Sequence, residues 1–165
     1  MGINEDLQRI GQQERELELP RLDAQMAWEL GSRLRTMAAE RGLPVVIDVR
    51  RFGQPLFYAA MEGTNPDNVE WVRRKSNVVA RFHNSSYVAG LKEKLKNETL
   101  SGSQGLPIAD YATHGGSFPL RVTGAGVVGS ATVSGLPQRA DHEMVVEALC
   151  ALLGKNYADL KLAAE

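Results

Sequence analysis

Apolar residues recur along this chain with two different periods, and the switches between them divide it into elements. Between residues 3 and 16, Ile3, Leu7 and Ile10 stand three and four positions apart among polar neighbours, which predicts a thin amphipathic helix with one narrow stripe. Such a helix has little to bury by itself, so it is expected to dock on the body of the domain or on a second copy. After a short extended piece around Leu17 and Leu19, Pro20 interrupts the chain. Asp23 is a suitable N-cap for a second helix, in which Ala27, Leu30, Gly31, Leu34, Met37 and Ala38 keep helical spacing up to Arg41, and Gly42 supplies the stop. The period then changes. Val45 to Val49 and Leu56 to Met61 are β-branched and aromatic runs around Phe52-Gly53-Gln54-Pro55, which reads as a hairpin.

Gly63-Thr64-Asn65-Pro66 is a helix-start signal, with Pro66 near the first helical position, and a long helix is expected from there to about Phe82. One stripe of that helix carries Asn68, Trp71, Lys75, Val78 and Phe82. Another (Glu70, Arg74, Asn77, Arg81, Asn84) is wholly polar and reads as a solvated face. Lys75 among apolar neighbours either snorkels its ammonium to the edge or meets an anion or carboxylate. Residues 83–100 read as further helix with a charged end, 101–105 as a loop, and Leu106 to Ala109 as a short edge segment. Leu120 to Thr123 and Val127 to Val133 read as two strands, and 138–153 as a last helix stopped by Gly154, with a final turn within 156–162. Hairpin-joined strands with helices around them predict an α+β domain on a mainly antiparallel central sheet flanked by helices, with an N-terminal amphipathic helix.

Length and composition fit this picture. A chain of 165 residues makes one domain, 1–165, with 1–20 as its helical arm. The apolar fraction of 43% and charged fraction of 24% are those of a globular protein. A net charge of −1 gives no basic footprint for nucleic acid. The first residues have no apolar leader core, and no apolar run approaches the roughly 20 residues that span a bilayer, so a cytoplasmic protein is expected. Cys150, the one cysteine, stands in the apolar run VVEALCALL and reads as a buried, inert thiol.

The candidate chemistry gathers between His114 and His142. Gly124-Ala125-Gly126-Val127-Val128-Gly129 fits G-x-G-x-x-G, but it leads into a strand and not a helix, so a hairpin or bulge is expected instead of a dinucleotide loop. His114-Gly115-Gly116-Ser117 is similar to esterase oxyanion loops, yet the chain has no G-x-S-x-G elbow. What survives is an anion-binding nest of glycine amides. Asp141-His142 lies in the first turns of the last helix, where an acid favours the helix dipole. If His114 and His142 shared a pocket with Asp141, they would form a set able to ligate a divalent metal.

The strings Glu62-Gly63-Thr64-x-Pro66-Asp67-Asn68-x-x-Trp71-x-x-x-Lys75, His114-Gly115-Gly116-Ser117-Phe118-Pro119, and Val133-Ser134-Gly135-Leu136-Pro137-Gln138 with Asp141-His142 resemble a branch of the GlcG/HbpS-like superfamily, the heme-degrading domain family. The resemblance runs from about Leu17 to Leu153. It implies a profilin-like α+β domain, homo-oligomers built from dimers, and a pocket near a subunit interface. The expectation is a protein that binds a small anionic ligand, a metal or a heme-like cofactor through Lys75, His114, Gly115, Gly116, Ser117, Asp141 and His142, with His114 and His142 as metal ligands. The alternatives are a protein-interaction or chaperone-associated oligomer with no catalytic site, and a metal-assisted enzyme using His142 with Asp141.

Overall fold

A computed structural model describes residues 2–165. The elements follow as α1 (Ile3–Glu16), α2 (Ala24–Arg41), β1 (Val46–Arg51), β2 (Gln54–Ala60), α3 (Pro66–Phe82), α4 (Ser86–Lys96), α5 (Leu100–Gln104), β3 (Ser117–Val122), β4 (Gly126–Ser134), α6 (Gln138–Leu153) and α7 (Tyr157–Leu160). The strands form one antiparallel sheet in the order β2-β1-β4-β3. It is the α+β architecture that the periodicity predicts, flanked by helices and preceded by the N-terminal helix.

Alternation divides the sheet into two unlike faces. Ile47, Val49, Phe57, Phe118, Leu120, Ala131 and Val133 point to one side and join Leu30 and Leu34 of α2 and Val145 and Leu149 of α6 in the main core. The cross-strand partners Asp48, Ser117, Ser130 and Thr132 point to the other side, and are buried beneath α3. That face survives burial because its polar atoms find partners. Thr132 Oγ1 donates to Ser117 Oγ at 2.9 Å, Ser117 N donates to Ser86 Oγ at 3.1 Å, and Arg50 donates twice to Asp48 at 2.7 and 2.8 Å.

Several local differences from the sequence reading have simple causes. The segment 101–105 winds into the short helix α5, because Thr99 caps it through a bond from Gly102 N. Residues 106–109 add no strand. They are held by α3, whose Arg74 donates to Ile108 O and whose Asn77 donates to Asp110 O at 2.8 Å. The polar stripe of α3 is therefore a clamp on this loop as well as a solvated face. The G-x-G-x-x-G run forms the β3–β4 hairpin: Gly124 (φ 79°) and Gly126 (φ 80°) make the turn, and a Cβ on Gly129 would stand 2.1 Å from Arg50 O. Cys150 is buried, and burial pushes its thiol up to about 11, well out of the reactive range.

The arm docks on the body. Ile10 joins Tyr87, Val88, Leu91 and Leu162 in a second apolar cluster, edged by Ile3 and Leu7. Arg139 secures it with two bonds to Asp6, at 2.7 and 3.1 Å.

Gly31 of α2 faces the Phe57 ring so closely that an added Cβ would lie 2.2 Å from it. Alanine favours a helix by about 1 kcal/mol over glycine, yet Gly31→Ala is expected to lower stability by about 1–3 kcal/mol through overpacking, read as a reduced urea midpoint.

Candidate functional site

The centre of the candidate site is built by the N-terminal half of α3 and the start of α6. Asn65 caps α3 by accepting from Asp67 N at 3.0 Å, with Pro66 in the first turn. This fixes the phase of the helix, and Trp71 and Lys75, four residues apart, then share a face. Lys75 Nζ donates to Asp141 at 3.0 Å, and both side chains are buried. Asp141 also accepts from Leu136 N at 2.9 Å and Gly135 N at 3.4 Å, while Lys75 reaches Val133 O at 3.4 Å. The lysine's counter-ion is thus a carboxylate of its own chain. Burial pulls the Lys75 ammonium below its ordinary pKa and pushes the Asp141 carboxyl above its own, and the attraction between the two opposes both shifts.

The double glycine is shaped by this pair. Gly116 has φ 138°, and a Cβ there would lie 2.4 Å from Val133 O and 2.7 Å from Lys75 Nζ. A Cβ on Gly115 would lie 2.4 Å from Gln138 O, and Gly115 N already donates to Gln138 Oε1 at 3.0 Å. The glycines give close approach to β4 and α6, and Ser117 is buried in the hydroxyl network under α3.

His114 stands differently. Its ring meets the edge of Trp71 with centroids 5.1 Å apart, and Arg74 lies over Trp71 at 4.8 Å. Two cavities open on either side of it. A smaller one, about 260 Å³, lies over the Lys75–Asp141 pair and is bounded by Asn68 and Trp71. A larger one, about 700 Å³, runs between α4 and α5 past Tyr87, Leu91, Lys94 and Thr99. His114 and Gln138 line both. Partial desolvation, then the charges of Lys75 and Arg74, hold the His114 imidazole below its ordinary pKa, so its neutral form and its lone pair are favoured.

His142 has other surroundings. Successive helical residues point about 100° apart, so with Asp141 aimed at Lys75, His142 turns into the core. It is fully buried, tilted against Tyr87 and Phe118 with centroids 5.3 and 5.7 Å away, and its Nε2 is 2.8 Å from Gln13 Oε1. The Gln13 amide nitrogen donates to Leu160 O at 2.8 Å, which leaves Oε1 as acceptor and puts the His142 proton on Nε2. Burial holds its pKa down to about 3. The His114–His142 pairing expected from the sequence is therefore not assembled: His142 lines neither cavity beside His114, and no cluster of three or more His, Cys, Asp or Glu side chains among the described residues could hold a metal. The sequence reading missed Gln13, whose glutamine in a thin polar helix carries no signal of a core partner. Trp71 and Lys75 share the face that the helical stripe of Asn68, Trp71, Lys75, Val78 and Phe82 predicts.

The family description "Haem degrading protein HbpS-like" matches residues 22–150. The chain belongs to the HbpS-like family. Among relatives in this family, a UPF0303 protein of Acidobacterium capsulatum is 60% identical over 162 residues, covering 98% of each chain. A UPF0303 protein of Burkholderia cenocepacia is 60% identical over 163 residues, covering 99% of each. Among solved structures, the Ybr137w protein superposes with a TM-score of 0.83 at 29% identity, over 90% of this chain and 88% of that one. HbpS itself gives a TM-score of 0.65 at 21% identity, over 83% and 93%. Among the described residues no helix is long and apolar enough to cross a membrane.

Lys75→Met would leave Asp141 buried without its counter-ion, and a loss of about 3–5 kcal/mol is expected. The double variant with Asp141→Asn, which keeps an acceptor for Leu136 N, should recover part of it, as measured by urea unfolding. A second expectation concerns pH. His142 is held neutral in the fold, whereas its unfolded pKa is about 6.5. Its contribution is complete above about pH 6.5 and is lost as pH falls toward 3, with a slope of up to about 1.4 kcal/mol per pH unit. His142→Gln, which mimics Nε2 and does not titrate, should remove that slope. The parent-minus-variant difference cancels Glu14 and Glu143, which burial raises and whose slope has the opposite sign.

Proposed function

We propose that this protein binds a small molecule, of which a heme-like planar cofactor is the first to test, in the cleft at His114. The observation that carries the reading is the His114 ring at the meeting point of two cavities, packed on Trp71 with neither ring nitrogen hydrogen-bonded among the described residues. The larger cavity, at about 700 Å³, lies within the span of roughly 300–1,000 Å³ usual for cofactor sites. Tyr87 and Leu91 supply apolar wall, Lys94 supplies a cation for an anionic substituent on a wall that also carries Glu93 and Glu98, and neutral His114 supplies one nitrogen lone pair. A heme-like group brings an iron that accepts such a lone pair. The family description is in keeping with this, as is the solved "PduOC:Heme Complex", whose chain shares this fold with a TM-score of 0.68 at 18% identity. In this reading Lys75 and Asp141 form the floor of the site, Gly115, Gly116 and Ser117 hold the loop that presents His114, and His142 supports α6 from within.

The protein works as a homo-oligomer in this proposal, with the cleft close to a contact between copies. Ile108, on the clamped loop that leads to His114, is 74% exposed and gives that contact an apolar anchor.

Titration with hemin is expected to give a saturable absorbance change and a rise in melting temperature. His114→Ala should abolish both, and His142→Gln should leave both in place. An unchanged titration in His114→Ala would overturn the assignment. Light scattering of the parent chain reads the oligomer directly.

A further inference from the structure

We propose that a second, independent ligand site lies in the hollow between the β1–β2 hairpin tip and the C-terminal half of α3, and that it takes a small carboxylate bearing an apolar substituent. The first ground is backbone conformation. Phe52, with φ of 49°, lines this hollow; the two other non-glycine residues with positive φ among those described, His83 and Asn97, are helix C-caps, where that conformation is ordinary. Asparagine tolerates that region, whereas a bulky aromatic there is an outlier. Phe52 and Gly53 (φ 80°) form the two-residue loop joining Arg51 to Gln54, with positive φ at both positions. Such a loop favours Asn-Gly or Asp-Gly. A phenylalanine placed there, 80% exposed, works against local preference and against burial at once. Strained residues of this kind cluster where a ligand is held.

The second ground is the lining. Arg50 lies over Asp48 through Nε and Nη2, so the fully buried acid is sealed beneath it, while Nη1 has no hydrogen bond among the described residues. The hollow is lined by Arg50, His83 and Ser130 and by no carboxylate, with Phe52, Val127 and Val128 among its apolar walls. A guanidinium N–H beside a hydroxyl and an imidazole suits a carboxylate, and the walls suit a short hydrocarbon or a ring. The volume, about 140 Å³, is that of roughly five waters at about 30 Å³ each and admits only a small molecule.

The third ground is position. Ser130 lines this hollow and Ser134 the smaller His114 cavity, on the same face of β4. Ser130 and Ser134 are separated by roughly 13 Å of strand at about 3.3 Å per residue. The hollow shares no lining residue with either cavity at His114, so each proposal is tested by its own variants.

The test uses the whole chain with butyrate, benzoate and inorganic phosphate as probes, read by amide NMR. Butyrate or benzoate is expected to shift the amides of Gly53, Val128 and Ser130 saturably at millimolar concentration. Phe52→Asn, which installs the favoured Asn-Gly turn, should raise the melting temperature of the ligand-free chain while weakening binding by about tenfold or more, equivalent to about 1.4 kcal/mol. His83→Asn keeps a residue tolerant of positive φ and should also weaken binding, and Arg50→Lys keeps a cation for Asp48 but removes the fork. Three results would overturn the proposal: no saturable shift at those amides with either acid, unchanged binding in Phe52→Asn, or binding of phosphate as tight as that of the acids. Capture of a peptide's terminal carboxylate without binding of the free acids would also sink it, in favour of a protein partner.

Discussion

The buried ion pair between Lys75 and Asp141 is the constraint on which the site depends. α3 and α6 lie against opposite faces of the sheet, and this pair joins them around the end of β4. Two charges withdrawn from water carry a penalty of several kcal/mol each unless they meet with good geometry and further hydrogen bonds. Here the remaining valences go to Leu136 N, Gly135 N and Val133 O, which leaves few other arrangements for the turn after β4. The requirement passes on to the neighbouring loop. With the ammonium and Val133 O occupying that space, residue 116 must lack a Cβ, and with Gln138 O beside it, so must residue 115. The histidine that opens onto both cavities is held by a loop whose glycines are dictated by a charge pair beneath them.

The face of the sheet under α3 shows a related economy of shape. Serine and threonine alternate with apolar residues along β4, a pattern that normally marks a solvent face. Here the hydroxyls are small enough to let α3 lie close, and each of the pairs that matter is satisfied within the protein: Thr132 with Ser117, and Ser86 with Ser117. Asp48 takes its bonds from Arg50 two residues along the same strand. Alternation therefore reported which residues share a face, but not what covers it.

This accounts for how far the sequence could be read. The helix between the cap Asp23 and the stop Gly42 was legible to the residue, and α3 closely, from its start signal at Gly63–Pro66 to about Phe82, because capping is local chemistry. The hairpins and the antiparallel sheet followed from apolar runs and turn residues. β3 begins three residues earlier than the apolar run suggests, since Ser117 is paired with Thr132 across the strand and contributes a hydroxyl instead of an apolar surface. The site was legible in part. Lys75 was read as either snorkelling to the edge or meeting an anion or carboxylate, and Asp141 as a helix-start acid, yet only tertiary contact joins them. His142 was read beside Asp141 because they are neighbours in sequence, although neighbours on a helix face apart. Its partner Gln13 lies 129 residues away, and nothing in a single sequence pairs them.

The termini share a fate that follows from the same contact. Gln13 bonds both His142 and Leu160, Arg9 donates to Asp159 O, and Arg139 holds Asp6 together with Ala163 O. The docking site of α1 is thus completed by residues about 150 positions further along the chain. Its stripe of Ile3, Leu7 and Ile10 must wait in water until the C-terminal segment arrives, and closure over such a sequence separation is intrinsically slow. Residues 3–16 and 157–163 hold one another, so they are expected to gain protection from hydrogen exchange together, after the sheet.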